Sequence, residues 1–157
     1  MSDRLDRQAA ELSQRWHELG SVLRSRRLLG ALHHGSAAKL TPTNLRALDV
    51  LARTDGLRVG ELADRIGIDE TTATRLADRL QAAGLTERRG TVEDRRVTVV
   101  ALTRDGMRLA KAVAAERRAF FRDVLAVLDP HERAELVRLT AKAADAVRAT
   151  SEELIAR

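Results

Sequence analysis

At 157 residues the chain is long enough for one domain, or for one domain with helical extensions. It has no cysteine, which excludes disulfides, zinc fingers, thiol catalysis and cysteine redox sensing, and its two Phe, one Trp and absent Tyr leave the core to Leu, Val, Ile and Ala. A formal charge of +5 suits a polyanionic partner, while no apolar run approaches the ~18 residues of a membrane span and the N-terminus lacks the apolar stretch of a signal peptide, so a cytoplasmic protein without a membrane partner is expected.

The surplus charge is not where a nucleic-acid site would first be sought. Between Gly56 and Ala101 eight arginines are matched by eight acidic residues, so binding to a polyanion must be argued from where particular arginines sit.

The first segment reads as a long helix. Leu5, Ala9, Leu12, Trp16, Leu19 and Leu23 alternate spacings of four and three, a heptad-like seam that asks for a partner helix. Gly30, Gly35 and Ser36 break the pattern. A second helix starts at Thr41-Pro42, with Thr41 as cap and Pro42 in the first turn, where its missing N–H costs nothing. Leu45, Leu48, Leu51 and Ala52 give it an apolar stripe, and Asp55-Gly56 is expected to end it.

Two short helices follow, Gly60–Ile66 and Glu70–Ala83, joined through Gly67-Ile68-Asp69. Leu62, Ala63 and Ile66 form one apolar face on the first. On the second, Ala73, Leu76, Ala77 and Leu80 recur at i, i+3, i+4 and i+7 and are expected to meet it. Thr71, Thr72, Thr74, Arg75, Asp78 and Arg79 are left outward. Small hydroxyl side chains permit close approach to a DNA major groove and offer methyls to thymine, while Arg75 and Arg79 reach guanine edges or phosphate. Glu70 and Asp78 do not help near an anion and are read as partners of neighbouring arginines or as rim residues.

From Leu85 to Leu102 the period changes to two. Val97, Val99 and Ala101 alternate with Thr98, Val100 and Leu102, and Leu85–Arg89 supplies the partner strand of a hairpin. Arg88, Arg89, Arg95 and Arg96 gather around its tip, where long planar cations on a narrow ribbon suit a minor groove. Asp94, two residues before Arg96, is placed to orient that guanidinium. Thr103 caps a long helix to about Leu128, and Asp129-Pro130-His131-Glu132 opens the last, with Leu136, Leu139, Ala143, Val147, Thr150 and Leu154 on one face.

Leu40-Thr41-Pro42, the run Leu76-Ala77-Asp78-Arg79-Leu80-Gln81-Ala82-Ala83-Gly84-Leu85, and Glu93-Asp94-Arg95-Arg96 followed by Leu102-Thr103-Arg104-Asp105-Gly106 resemble the MarR family, over nearly the whole chain and in order. The resemblance implies a mainly α fold with one small β-hairpin wing: a winged helix-turn-helix at 41–103 between dimerisation helices at 1–40 and 104–157. It implies a bacterial transcription regulator, most often a repressor, whose homodimer binds a pseudo-palindromic operator in double-stranded DNA and is released by a small organic effector. Leu5, Leu12, Trp16, Leu19, Leu136, Leu139, Val147 and Leu154 would then line the dimer seam, Arg96 would enter the minor groove with Asp94 as its positioner, and Thr71, Thr72, Thr74 and Arg75 would read the major groove. Trp16, His17, His33 and Arg46 lie on segments that would border an effector pocket, although each also fits an ordinary role as seam core, surface or loop edge.

No enzyme, cofactor or metal site is expected. No Ser precedes a plausible base and no Gly-rich phosphate loop occurs. His131-Glu132 followed by Glu135 lacks the second His of a metallopeptidase helix. Two alternatives remain open: an architectural DNA binder without effector, and a winged-helix module that binds protein.

Overall fold

The computed structural model describes residues 2–23, 40–90 and 98–156, as six helices and a two-stranded antiparallel sheet. Helix α1 is Ser2–Leu23, α2 Pro42–Leu51, α3 Val59–Ile66 and α4 Glu70–Ala82; strands β1, Thr86–Gly90, and β2, Thr98–Leu102, follow, then α5, Arg104–Ala126, and α6, Pro130–Ile155. The chain divides into two units, Met1–Arg117 and Arg118–Arg157, the boundary falling inside α5.

In the first unit the core is built where the apolar periodicities meet. Leu48 and Leu51 of α2, Leu62 and Ile66 of α3, Leu76 and Leu80 of α4 and Val100 of β2 are all below 2–3% exposed. Burying each such side chain contributes roughly 1.5–3 kcal/mol, enough to hold three short helices together that would not persist alone. The expected faces of α3 and α4 are the buried ones: Leu62, Ala63 and Ile66, then Ala73, Leu76, Ala77 and Leu80.

Local signals fix the element ends. Thr41 accepts the Asn44 N–H at 3.2 Å with Pro42 in the first turn. Gly67 closes α3 at φ 67°, a left-handed conformation that costs other residues about 1 kcal/mol or more. Asp69 then caps α4 by accepting the Thr72 N–H at 2.8 Å.

Helix α2 departs from the sequence reading in two ways. It ends at Leu51, four residues short of Asp55, because Arg53 and Thr54 turn back to the carbonyls of Val50 and Leu51 at 3.2 Å instead of continuing the helix. Its buried face is Asn44, Ala47, Leu48 and Leu51, with Leu45 only half-buried. The connection beyond it carries a pairing that periodicity did not reveal. Leu57 bridges Val100, with N···O distances of 3.0 and 2.8 Å, so β2 has a partner on each edge. Val99, Val100 and Ala101 of that strand are buried in succession, where a strand with one open face would alternate.

The hairpin register pairs Arg88 with Val100 and Arg89 with Val99. Its return into α5 depends on two residues of the Leu-Thr-x-x-Gly run. Thr103 donates through Oγ1 to the Gly84 carbonyl at 2.7 Å and accepts the Gly106 N–H at 3.0 Å. Gly106 itself sits so close to the chain that a Cβ there would lie 1.9 Å from the Leu85 carbonyl oxygen. Only a hydrogen fits.

The second unit is the end of α5 and all of α6. Asp129 accepts the N–H groups of His131 and Glu132 at 2.7 and 2.9 Å, and Glu132 returns to the Asp129 N–H at 2.9 Å, the capping box read from the sequence. Arg133 donates to the Leu125 carbonyl at 2.8 Å, tying the two helices at their junction. Helix α6 has no buried residue. Leu136, Leu139, Val147 and Leu154 are 43–65% exposed in the single chain, and so are Leu5, Leu12, Trp16 and Leu19 of α1 at 55–67%.

Candidate nucleic-acid interface

With Ala73, Leu76, Ala77 and Leu80 turned into the core, helical geometry commits the remaining positions of α4 to the outside. Thr71, Arg75, Asp78 and Arg79 are exposed and Thr72 and Thr74 half-exposed. The three threonines are not equivalent. The Thr72 hydroxyl donates to Asp69 Oδ2 at 2.7 Å, and the Thr74 hydroxyl donates to the Glu70 carbonyl at 2.9 Å. Thr71 is the one of the three whose hydroxyl makes no such bond.

The same contacts shape the start of the helix. The Thr72 hydroxyl and amide hold the Asp69 carboxyl below the usual carboxylate range, so it stays charged at the N-terminus of α4. That carboxylate already takes the Thr72 N–H, which leaves fewer amides at this end for a phosphate than an uncapped helix would offer. Glu70 lies over Gly60, its carboxylate 3.8 Å from where a Cβ on that glycine would be. Arg79 turns back along the helix, Nε donating to the Arg75 carbonyl at 3.2 Å.

At the root of the wing, β1 carries two adjacent arginines with different partners. Arg88 meets Asp78 of α4 at 2.7 Å, the pairing anticipated for that carboxylate. Arg89 donates instead to the backbone carbonyl of Asp55, a contact that the sequence could not announce because it needs the turn after α2. Asp94, Arg95 and Arg96 lie outside the described residues.

Three of the four residues considered for an effector lie among the described residues. Trp16 and His17 are exposed on α1, Arg46 is exposed on α2, and His33 lies outside the described residues. A cleft of about 510 Å³ opens elsewhere in the first unit, lined by Leu40, Ala83, Leu85, Leu109 and Ala112 with Asp105 and Arg108 at its polar side. Periodicity gave no sign of it, because its walls come from Leu40 ahead of α2, from Ala83 and Leu85 just past α4, and from the first turns of α5. Among the described residues no cluster of three or more His, Asp or Glu is placed to hold a metal ion, and no helix is long and apolar enough to cross a membrane.

Comparison with known proteins agrees with this geometry. A sequence model of the MarR family matches residues 38–97. The HTH-type transcriptional repressor MdtR of Bacillus subtilis is 34% identical over 107 residues, covering 68% of this chain and 69% of that protein. A MarR family protein of Bacillus stearothermophilus superposes with a TM-score of 0.78 at 26% identity, over 91% of this chain and 97% of its own. FabT of Streptococcus pneumoniae, solved in complex with DNA, shares the fold with a TM-score of 0.70 at 15% identity, over 96% of this chain and 99% of its own. The chain thus belongs to the MarR family of HTH-type transcriptional regulators.

Proposed function

We propose that the chain acts as a homodimeric, sequence-specific repressor, with residues 41–103 contacting duplex DNA and residues 1–40 and 104–157 joining the two copies. The observation that carries this reading is the outward face of α4, where Thr71, Arg75 and Arg79 stand free of the core beside the Arg-bearing strand β1. Such a face combines groove-sized side chains with cations that satisfy phosphate or guanine. Repression is the role printed in the name of MdtR, the 34%-identical relative.

Dimer formation is supported by what α1 and α6 leave uncovered. Leu5, Leu12, Trp16 and Leu19 form one stripe and Leu136, Leu139, Val147 and Leu154 another, all exposed in a single chain. Stripes of this extent at helical spacing mark a surface that another helix covers.

Release by a small organic effector is the further element of the proposal. The cleft beside Leu85 and Leu109 has the volume of a small-molecule site and an apolar lining with one cation, Arg108, which is paired with Asp105 at 2.7 Å. A ligand there would release DNA only by binding the DNA-incompetent form more tightly.

Fluorescence anisotropy with the DNA upstream of the chain's own gene and with random duplex, at several salt concentrations, tests the reading. Binding that is tighter to the upstream duplex and weakens steeply with salt supports a regulator. Salt-dependent binding without preference favours an architectural role, and no binding at low salt favours a module that recognises protein.

A further inference from the structure

We propose that Asp78 is a specificity-determining residue, which holds Arg88 neutralised until α4 meets its proper sequence; this rests on the DNA-binding reading above. Asp78 stands on the exposed face of α4, one turn beyond Thr74 and Arg75, where a carboxylate faces the phosphate lattice with the wrong charge. It lies in the second half of the helix, where the dipole also disfavours an anion, so helix stability does not call for it.

What it does is reach another element. Arg88 lies ten residues on, in β1, and its guanidinium meets the Asp78 carboxylate at 2.7 Å. The neighbouring Arg89 gives the contrast, because its partner is the uncharged carbonyl of Asp55 and its own charge remains displayed. Of the two arginines at the wing root, one is cancelled and one is not.

The pair is also open enough to exchange. The Asp78 and Arg88 side chains are 59% and 40% exposed, and ion pairs of that kind are weak. A carboxylate on a helix in the major groove accepts from the N4 amino group of cytosine or the N6 amino group of adenine. When the right base supplies that donor, Asp78 turns to it and Arg88 moves to a phosphate. On a wrong sequence no donor is in place, the pair persists, and Arg88 adds nothing to counterion release. One base contact and one phosphate contact are thereby made together or not at all.

The test uses the full-length wild type, Asp78→Asn, Arg88→Ala and the double variant. Anisotropy is measured against a random-sequence duplex and against the tightest duplex selected from a random library, over a range of salt. Asp78→Asn is expected to bind random duplex roughly tenfold more tightly, with a salt slope steeper by about one per winged domain, so that its preference for the selected duplex falls. In the double variant the random-duplex slope returns to the wild-type value. Arg88→Ala alone, which leaves the Asp78 carboxylate uncompensated, is expected to lower the preference for the selected duplex over random duplex, which gives a reading even if Asp78→Asn is unfolded. An Asp78→Asn slope equal to wild type, or an Arg88→Ala chain with the wild-type preference for the selected duplex, overturns the proposal while leaving the DNA reading intact. A wild-type chain that binds no duplex in a salt-dependent way overturns both.

Discussion

Arg117 of α5 lies 2.8 Å from Asp49 of α2, an ion pair between residues 68 positions apart. Arg53, in the turn that follows α2, meets the same carboxylate at 3.1 Å. The first helix of the winged segment is thus tied to the long helix that follows it by a carboxylate held between two guanidinium groups.

Burial pushes the Asp49 carboxyl up, but the hydrogen bond and charge of Arg117, with those of Arg53, outweigh it and hold it below the usual range. A carboxylate whose folded value is lowered stabilises the fold above its unfolded value, near 3.8, and that contribution is lost as the pH falls through the lowered folded value. Asp49→Asn is expected to cost about 1 kcal/mol at neutral pH, a figure kept small because Arg117 is well exposed. Urea titrations at neutral and acid pH check this: the difference between variant and wild type should shrink below the carboxylate range. A difference that stays constant through that range and below it would remove the ion pair from the account.

Gly106→Ala is expected to destabilise the first unit by about 3 kcal/mol or more, since its Cβ would strike the Leu85 carbonyl rather than a side chain that can move. Thr103→Val tests the same junction more gently. Losing the bonds to Gly84 and Gly106 should cost about 1–2 kcal/mol. Thermal melting of both variants gives the comparison, and a Gly106→Ala protein as stable as wild type would show that α5 docks differently.

The two stripes left exposed on α1 and α6 lead to an oligomer test. Leu19→Arg places a charge in the α1 stripe and is expected to abolish dimers and DNA binding together, as read by light scattering and anisotropy. A folded Leu19→Arg monomer that binds DNA as wild type does would sink the proposed dimer.

Within the interface, Arg75→Ala is expected to relax preference at particular base pairs, by roughly 1–3 kcal/mol each. Arg96→Ala should instead weaken binding to every sequence and lower the salt slope by about one. Equal loss on all sequences for Arg75→Ala would make it a phosphate contact. An unchanged slope for Arg96→Ala would take the wing out of the binding step.

Much of this was legible because the relevant signals are local. The apolar face of α3, the i, i+3, i+4, i+7 row on α4, the caps at Thr41, Asp69 and Asp129, and the hairpin's change of period each involve neighbours in sequence. Asp78 was expected to pair with an arginine, since a carboxylate on a cationic face has few other options. The Leu57–Val100 bridge, the early end of α2, the Arg89–Asp55 contact and the Arg117–Asp49 pair were not legible. Each depends on segments far apart in sequence that only the assembled core brings together. Nor did composition show that the Thr72 and Thr74 hydroxyls are already bonded to Asp69 and to the Glu70 carbonyl, because capping and groove contact call for the same residue types.

Selection of bound duplexes from a random-sequence library by the purified full-length protein tests the central claim most directly. The expected result is enrichment of one pseudo-palindrome whose half-sites lie about one helical turn, roughly 10 bp, apart, as two symmetry-related α4 helices require. Recovery of unenriched sequence, or of a single unrepeated half-site, would contradict a homodimer that reads DNA.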